Sequence, residues 1–205
     1  MAAPKIDPDT ALIEACQAQT LEGLEGPFRQ LYELYKDRVY NVCYRVTGNA
    51  SDALDASQET FGILFRKVGG FRFQSRFSSW VYRIAINASI DLKRRQSSRR
   101  LASLDAVMGG DDGEVGVFDF EDVSAELPSD VASRRELEQE VQRAISRLSP
   151  KLRAITVLRY IESLSYDEIA ETLEISLGTV KSRLSRAHAV MDRELTPVLH
   201  KHYLG

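Results

Sequence analysis

Several kinds of residue are scarce in this 205-residue chain, which has two cysteines, three histidines and one tryptophan. Cys16 and Cys43 form no CxxC pair, and two cysteines cannot build a disulfide framework. Both fall within apolar helical patterns and read as core filler. His188, His200 and His202 cluster near the C-terminus and share no ligand spacing with a cysteine, so neither a metal site nor a cofactor is expected. No run approaches the roughly 18 consecutive apolar residues of a membrane span, so a membrane is not an expected partner. The first nine residues carry Pro and Asp but no apolar stretch, which argues against a secretory leader and for a cytoplasmic protein. Strand-type alternation is also missing. What is present, 43% apolar and 28% charged residues, excludes wholesale disorder.

The net charge of −3 conceals a partition. Residues 1–100 hold 15 Lys and Arg against 11 acids, and residues 131–205 hold 12 against 10. Between them, residues 101–130 hold nine acids and no Lys or Arg. Two mildly basic blocks therefore flank an anionic insert. From 97 to 130 helical periodicity fades and Gly109, Gly110, Gly113, Gly116 and Pro128 accumulate. That composition reads as a flexible, self-repelling acidic linker. Phe118 and Phe120 within it suggest docking into a basic channel of a partner, a role that competes with that of a plain spacer.

Both flanking blocks read as helical, giving an all-α chain of two small domains: a tail at 1–11, a bundle at 12–96, the linker at 97–130 and a second domain at 131–205. In the first, Phe28, Leu31, Tyr35, Val39, Val42, Cys43 and Val46 recur at three- and four-residue steps, the mark of one buried helical face. Gly48-Asn49 stops that helix and Ser51 is placed to cap the next, which carries Phe61, Leu64, Phe65 and Val68. A third stripe runs through Phe77, Trp80 or Val81, Ile84, Ala88 and Leu92. In the second block Ser149-Pro150 supplies a cap and a first-turn proline. Ser165-Tyr166-Asp167-Glu168 is a capping box opening a helix with Ile169, Ala170 and Leu173. Ser176 caps a last helix with Val180, Leu184, Ala187, Met191 and Leu195.

Residues 166–187 have the anatomy of a helix-turn-helix. Burying Val180 and Leu184 leaves Thr179, Lys181, Ser182, Arg183 and Arg186 facing outward, a set that can contact guanine edges and phosphates from within a major groove. The first block carries a different surface, Phe71-Arg72-Phe73-Gln74-Ser75-Arg76-Phe77-Ser78-Ser79-Trp80, in which aromatics alternate with basic and polar residues. Rings beside arginines suit single-stranded nucleic acid, where bases stack and cations hold phosphates. Arg83, Asn87 and Arg94 follow at roughly helical spacing on the polar side of the third stripe, with Lys93, Arg95, Arg99 and Arg100 extending the positive surface.

Four motifs in order, 55–61 (DASQETF), 77–87 (FSSWVYRIAIN), 164–170 (LSYDEIA) and 178–184 (GTVKSRL), resemble bacterial sigma-70 family factors of the extracytoplasmic-function class. The resemblance implies a sigma-2-like bundle that recognises and melts the −10 promoter element through Phe71, Arg72, Gln74, Ser75, Arg76, Trp80, Arg83, Asn87 and Arg94. It implies that Asp55, Gln58 and Glu59 dock on the β′ clamp of core RNA polymerase. A sigma-4-like domain would then read the −35 element through Thr179, Lys181, Ser182, Arg183 and Arg186. The implied partners are core RNA polymerase (β′ clamp and β flap), promoter DNA and a separate anti-sigma factor, and no small-molecule substrate is implied. Two positions depart from the pattern: Glu174, where the turn often has glycine, and Gly62, inside a helix. The rival readings are a ligand-responsive repressor, which leaves the Arg-aromatic loop unexplained, and an enzyme, for which the first block lacks any histidine.

Overall fold

A computed structural model describes residues 9–19, 23–105 and 129–203, all the elements of which are helical. The N-terminal unit comprises α1 (Thr10–Gln17), α2 (Glu25–Thr47), α3 (Ala50–Lys67), a 3₁₀ turn (Val68–Gly70) and α4 (Phe77–Asp105). The C-terminal unit comprises α5 (Ser129–Ser146), α6 (Pro150–Tyr160), α7 (Tyr166–Leu173) and α8 (Leu177–Tyr203).

The expected α2 stripe is the buried one: Leu31, Tyr35, Val39, Val42, Cys43 and Val46 are all enclosed. Gly48 ends α2 in the left-handed conformation at φ 87°, where a residue without Cβ is unstrained. Asn49, not Ser51, then caps α3: its backbone is extended and its side chain accepts from the Asp52 N–H at 2.8 Å. Ser51 already lies inside the helix. Asp52 in turn ties α3 to α4. Its carboxylate receives Lys93 Nζ and Gln96 Nε2, each at 2.7 Å. Burial alone would push that carboxyl up, but the hydrogen bonds from Lys93, Asn49 and Gln96 together hold it below its ordinary value.

α4 continues to Asp105, past the expected linker start at 97. Nothing between Ser97 and Ser103 interrupts a helix, because Arg, Leu and Ala propagate one and the first glycines come only at 109 and 110. The rest of the acidic insert, 106–128, lies outside the described residues, as does the tail before residue 9. Ser149 caps α6 by backbone geometry with Pro150 at the first turn, although its hydroxyl makes no cap bond. The capping box of α7 is complete: Ser165 Oγ accepts the Glu168 N–H at 3.2 Å and Glu168 Oε2 accepts the Ser165 N–H at 2.9 Å.

The two units pack together, and their buried apolar side chains form one continuous cluster from Ile13 to Leu184. α7 lies against α4, and α5 and α6 lie against α2. Arg153, only 5% exposed, is a pin of this arrangement. Its guanidinium donates to the carbonyls of Ile145 (3.1 Å), Ser146 and Leu148 (3.1 Å) at the end of α5, and across the units to Val46 of α2 (2.5 Å). Burial pushes its pKa down to about 10, so it stays charged at neutral pH. Arg45 Nη1 donates to Gln142 Oε1 at 2.9 Å across the same seam, and buried Tyr82 of α4 meets Glu162 beyond the end of α6.

Candidate nucleic-acid interface

The helix-turn-helix is built as its residue pattern demands. Arg159 of α6 donates to the Leu164 carbonyl at 2.8 Å and stacks over Tyr166, setting the entry to α7. α7 ends at Glu174, which adopts φ 53°, and the Ile175 N–H returns to Ala170 O at 3.0 Å. A glycine would hold that conformation without strain, so the side chain is kept there at a steric cost. Ser176 Oγ then accepts the Thr179 N–H at 3.1 Å and opens α8. Val180, Leu184 and Ala187 are buried. Lys181, Ser182 and Arg186 are exposed, and Thr179 and Arg183 half-buried, on the opposite side. Thr179 also spends its hydroxyl on Ser176 Oγ at 2.8 Å. Among the described residues Lys181, Arg183 and Arg186 have no ion-pair partner, which leaves three free cations along one helix.

The loop before α4 divides its aromatics between core and surface. Phe71 (8% exposed) turns inward and packs with Phe77 and Trp80, at ring-centroid distances of 5.2 Å to each. Of the loop's aromatics, Phe73 is the one that faces out, 40% exposed and held at φ 55°. A bulky residue at positive φ is a real outlier, and strain of this kind concentrates at working sites. Alternation across the loop is a signal for which ring faces out, but the residue pattern alone does not say which parity wins. The Phe71 ring is enclosed against Phe77 and Trp80, and Gln17 Nε2 donates to the Phe71 carbonyl at 2.8 Å, anchoring the backbone there. Arg72, Gln74 and Arg76 are exposed and Ser75 half-buried. Asn87 and Arg94 are exposed on α4, Arg94 pairing with Asp91 at 3.2 Å.

Two of the expected cations are already engaged by the other unit. Arg76 Nη1 pairs with Glu168 Oε1 at 3.1 Å, and Arg83 pairs with Glu174. Beside the Arg83–Glu174 pair opens a cleft of about 290 Å³, walled by Gln74, Ser75, Trp80 and Arg83 on one side and Glu171 and Glu174 on the other. On α3, Asp55, Gln58 and Glu59 all face solvent, and Glu59 pairs with Arg95 at 2.8 Å. Leu54 beside them is 52% exposed. An exposed leucine among acids suits a protein partner better than DNA, and helical spacing alone does not separate it from a core position.

Family models for sigma-70 region 2 and sigma-70 region 4 match residues 31–99 and 138–189. The chain is 35% identical over 177 residues to the ECF RNA polymerase sigma factor SigW of Bacillus subtilis, covering 86% of this chain and 93% of that one. It is 33% identical over 193 residues to the RNA polymerase sigma-H factor of Pseudomonas aeruginosa, covering 94% and 96%. In fold it resembles CnrH solved with the cytosolic domain of CnrY (TM-score 0.64, 21% identity, 93% of this chain and 99% of that one). It also resembles the sigma factor RpoE of Bartonella quintana solved with the anti-sigma factor NepR (TM-score 0.60, 22% identity, 82% and 96%). With region 2 falling on the unit that carries the aromatic loop and region 4 on the helix-turn-helix, the chain belongs to the sigma-70 family, in its extracytoplasmic-function class.

Proposed function

We propose that the chain acts as an alternative sigma factor, binding core RNA polymerase and directing it to its promoters. α8 reads the −35 duplex through Lys181, Ser182, Arg183 and Arg186. The 71–76 loop and α4 capture the unpaired −10 strand, with Phe73 as the stacking ring and Asn87 as the base-edge contact. Extruding a base costs a few kcal/mol, which a preformed aromatic and polar surface offsets. The observation that carries this reading is the presence on one chain of two separate surfaces of different kinds, each suited to a different form of nucleic acid. One is a groove-sized cationic helix and the other a strained aromatic-arginine loop. A ligand-responsive repressor has use for only the first.

Leu54, Asp55, Gln58 and Glu59 form the face offered to the β′ clamp, and the C-terminal unit meets the β flap. In this role the chain performs no bond chemistry of its own, works in the cytoplasm and answers to a separate anti-sigma protein. The test is transcription by sigma-free core polymerase on a promoter library. Discrete start sites that depend on the added protein support the reading, and their absence alongside sequence-specific duplex binding by the protein alone returns the repressor. Leu54→Asp should lower affinity for core polymerase by tenfold or more without weakening duplex DNA binding.

A further inference from the structure

α3 carries one glycine, Gly62, on the face that it turns to solvent. Helical spacing puts Gly62 three and four residues beyond Glu59 and Gln58 and about two turns beyond Asp55. Its backbone is ordinary helix, since Gly48 is the one glycine at positive φ among the described residues. A Cβ at this position would meet only Arg66 Nη1, the far end of an exposed side chain, at 3.5 Å. Neither the backbone nor the packing of the free chain therefore needs glycine here, yet glycine in mid-helix is destabilising relative to alanine.

The two sides of Gly62 differ in kind. On one, Leu54 and the edge-on pairs Tyr32–Phe61 (ring centroids 4.7 Å apart) and Phe28–Phe65 (5.0 Å) form an apolar flank, from which Tyr32 stands 41% exposed. The turn of the helix places Asp55 and Glu59 on the other, Glu59 sharing its charge with Arg95 at 2.8 Å. Between the flanks the missing side chain leaves the α3 backbone bare. Two packed helices lie roughly 8–10 Å apart according to the side chains at their crossing, so a glycine there admits a partner at the near end of that range.

We infer that Gly62 is the crossing point at which a helix of the β′ clamp lies against α3, backbone close to backbone. Leu54 and Tyr32 receive the apolar side of that helix, and Asp55 and Glu59 receive a basic edge. The inference rests on the proposed reading of Leu54, Asp55, Gln58 and Glu59 as the clamp face, and adds to it where the partner crosses and how near it comes. The stability forgone in α3 is then the condition for that close approach.

The test measures binding of the full chain, labelled at its N-terminus, to sigma-free core polymerase by fluorescence anisotropy, beside thermal melts and duplex DNA binding. Gly62→Ala adds a methyl group, and Gly62→Leu adds a side chain that overpacks the crossing while favouring the helix. Core affinity should fall about three- to tenfold in the first and more than tenfold in the second. Neither substitution should lower the Tm, and duplex affinity should not change. Asn41→Leu adds similar bulk at an exposed position of α2, about two and a half turns from Tyr32 and so on the opposite side. It should bind core polymerase as the wild type does.

Unchanged core affinity in Gly62→Leu, while Leu54→Asp weakens binding, overturns the inference and leaves the clamp face standing. If Leu54→Asp also binds normally, the reading of that face fails and the inference with it. A loss in Gly62→Leu that comes with a lowered Tm assigns the glycine to the fold and overturns the inference, as does an equal loss in Asn41→Leu.

Discussion

Replacing Arg153 with methionine tests whether one buried cation holds the end of α5 and the seam between the units. The side chain is nearly the same length and apolar, so volume is roughly conserved while all four carbonyl contacts are lost: Ile145, Ser146 and Leu148 in the C-terminal unit and Val46 in the N-terminal unit. A hydrogen bond to a charged group contributes about 1.5–3 kcal/mol, but removing the guanidinium also recovers its own burial cost, and some carbonyls regain water. The net loss should be about 3–5 kcal/mol, from buried carbonyls left without a donor at about 1–3 kcal/mol each, less the recovered burial cost. For a chain of this size that corresponds to a Tm lower by roughly 6–20 °C. Urea unfolding followed in parallel by far-UV circular dichroism and Trp80 fluorescence separates the two parts of the effect. Trp80 packs on Phe71 and Phe77 and also lines the cleft at the seam, so its fluorescence follows the N-terminal unit and that seam. The dichroism follows every helix, so the two transitions should coincide in the wild type and separate in the variant. A loss below about 1 kcal/mol with coincident transitions would refute the role given to Arg153.

Gly62 sits inside α3, and a Cβ there would meet nothing closer than Arg66 Nη1 at 3.5 Å. Gly62→Ala should therefore stabilise the chain by about 0.5–1 kcal/mol in thermal melts, and destabilisation would mean the position needs glycine for a reason packing does not show. Cys43 is buried, and its thiol is pushed up to about 11, first by burial, with hydrogen bonds involving Ser89 and Thr60 pulling weakly the other way. Burial raises Cys16 too. Both should resist a thiol reagent in the native protein at neutral pH and react only in denaturant, and prompt native labelling would reopen a redox role. The Asp52 carboxyl is held below its unfolded value, so its contribution is complete above that value, about 3.9, and is lost as pH falls through the lower folded one. Asp52→Asn should lower stability at neutral pH and flatten its decline in this acid range, and an unchanged acid limb would contradict the Lys93–Asp52–Gln96 anchor.

The fold was legible where local chemistry and tertiary packing agree. The α2 stripe, the Ser165–Glu168 capping box, the Ser176 cap and the buried Val180–Leu184 side of α8 all follow from periodicity and capping preferences. What escaped depends on geometry between distant residues. Arg153 reads as one more cation on α6, because nothing local announces four carbonyls converging from α5 and α2. Phe71 and Phe73 are equivalent in composition, and what separates them is tertiary: the Phe71 ring packs on Phe77 and Trp80 while Gln17, 54 residues away, holds its carbonyl. Asn49 outcompeted Ser51 as a cap because the chain is still extended at 49, immediately after the left-handed Gly48. The partnering of Arg76 and Arg83 by α7 likewise needs the two units docked, an arrangement that no local pattern encodes.

The central claim is that one chain reads two promoter elements with two separable surfaces. Start sites should be mapped on a promoter library transcribed by core polymerase with the wild type, with Phe73→Ala/Asn87→Ala, and with Arg183→Ala/Arg186→Ala. The account predicts that the first variant still yields sequence-specific closed complexes at the wild-type promoters but fails to open them, with −10 thymines unreactive to permanganate. The second should lose promoter occupancy and its dependence on the upstream element. If the first variant opens promoters normally, or if both variants lose the same step at the same sequences, the division of labour between α4 with its loop and α8 is contradicted.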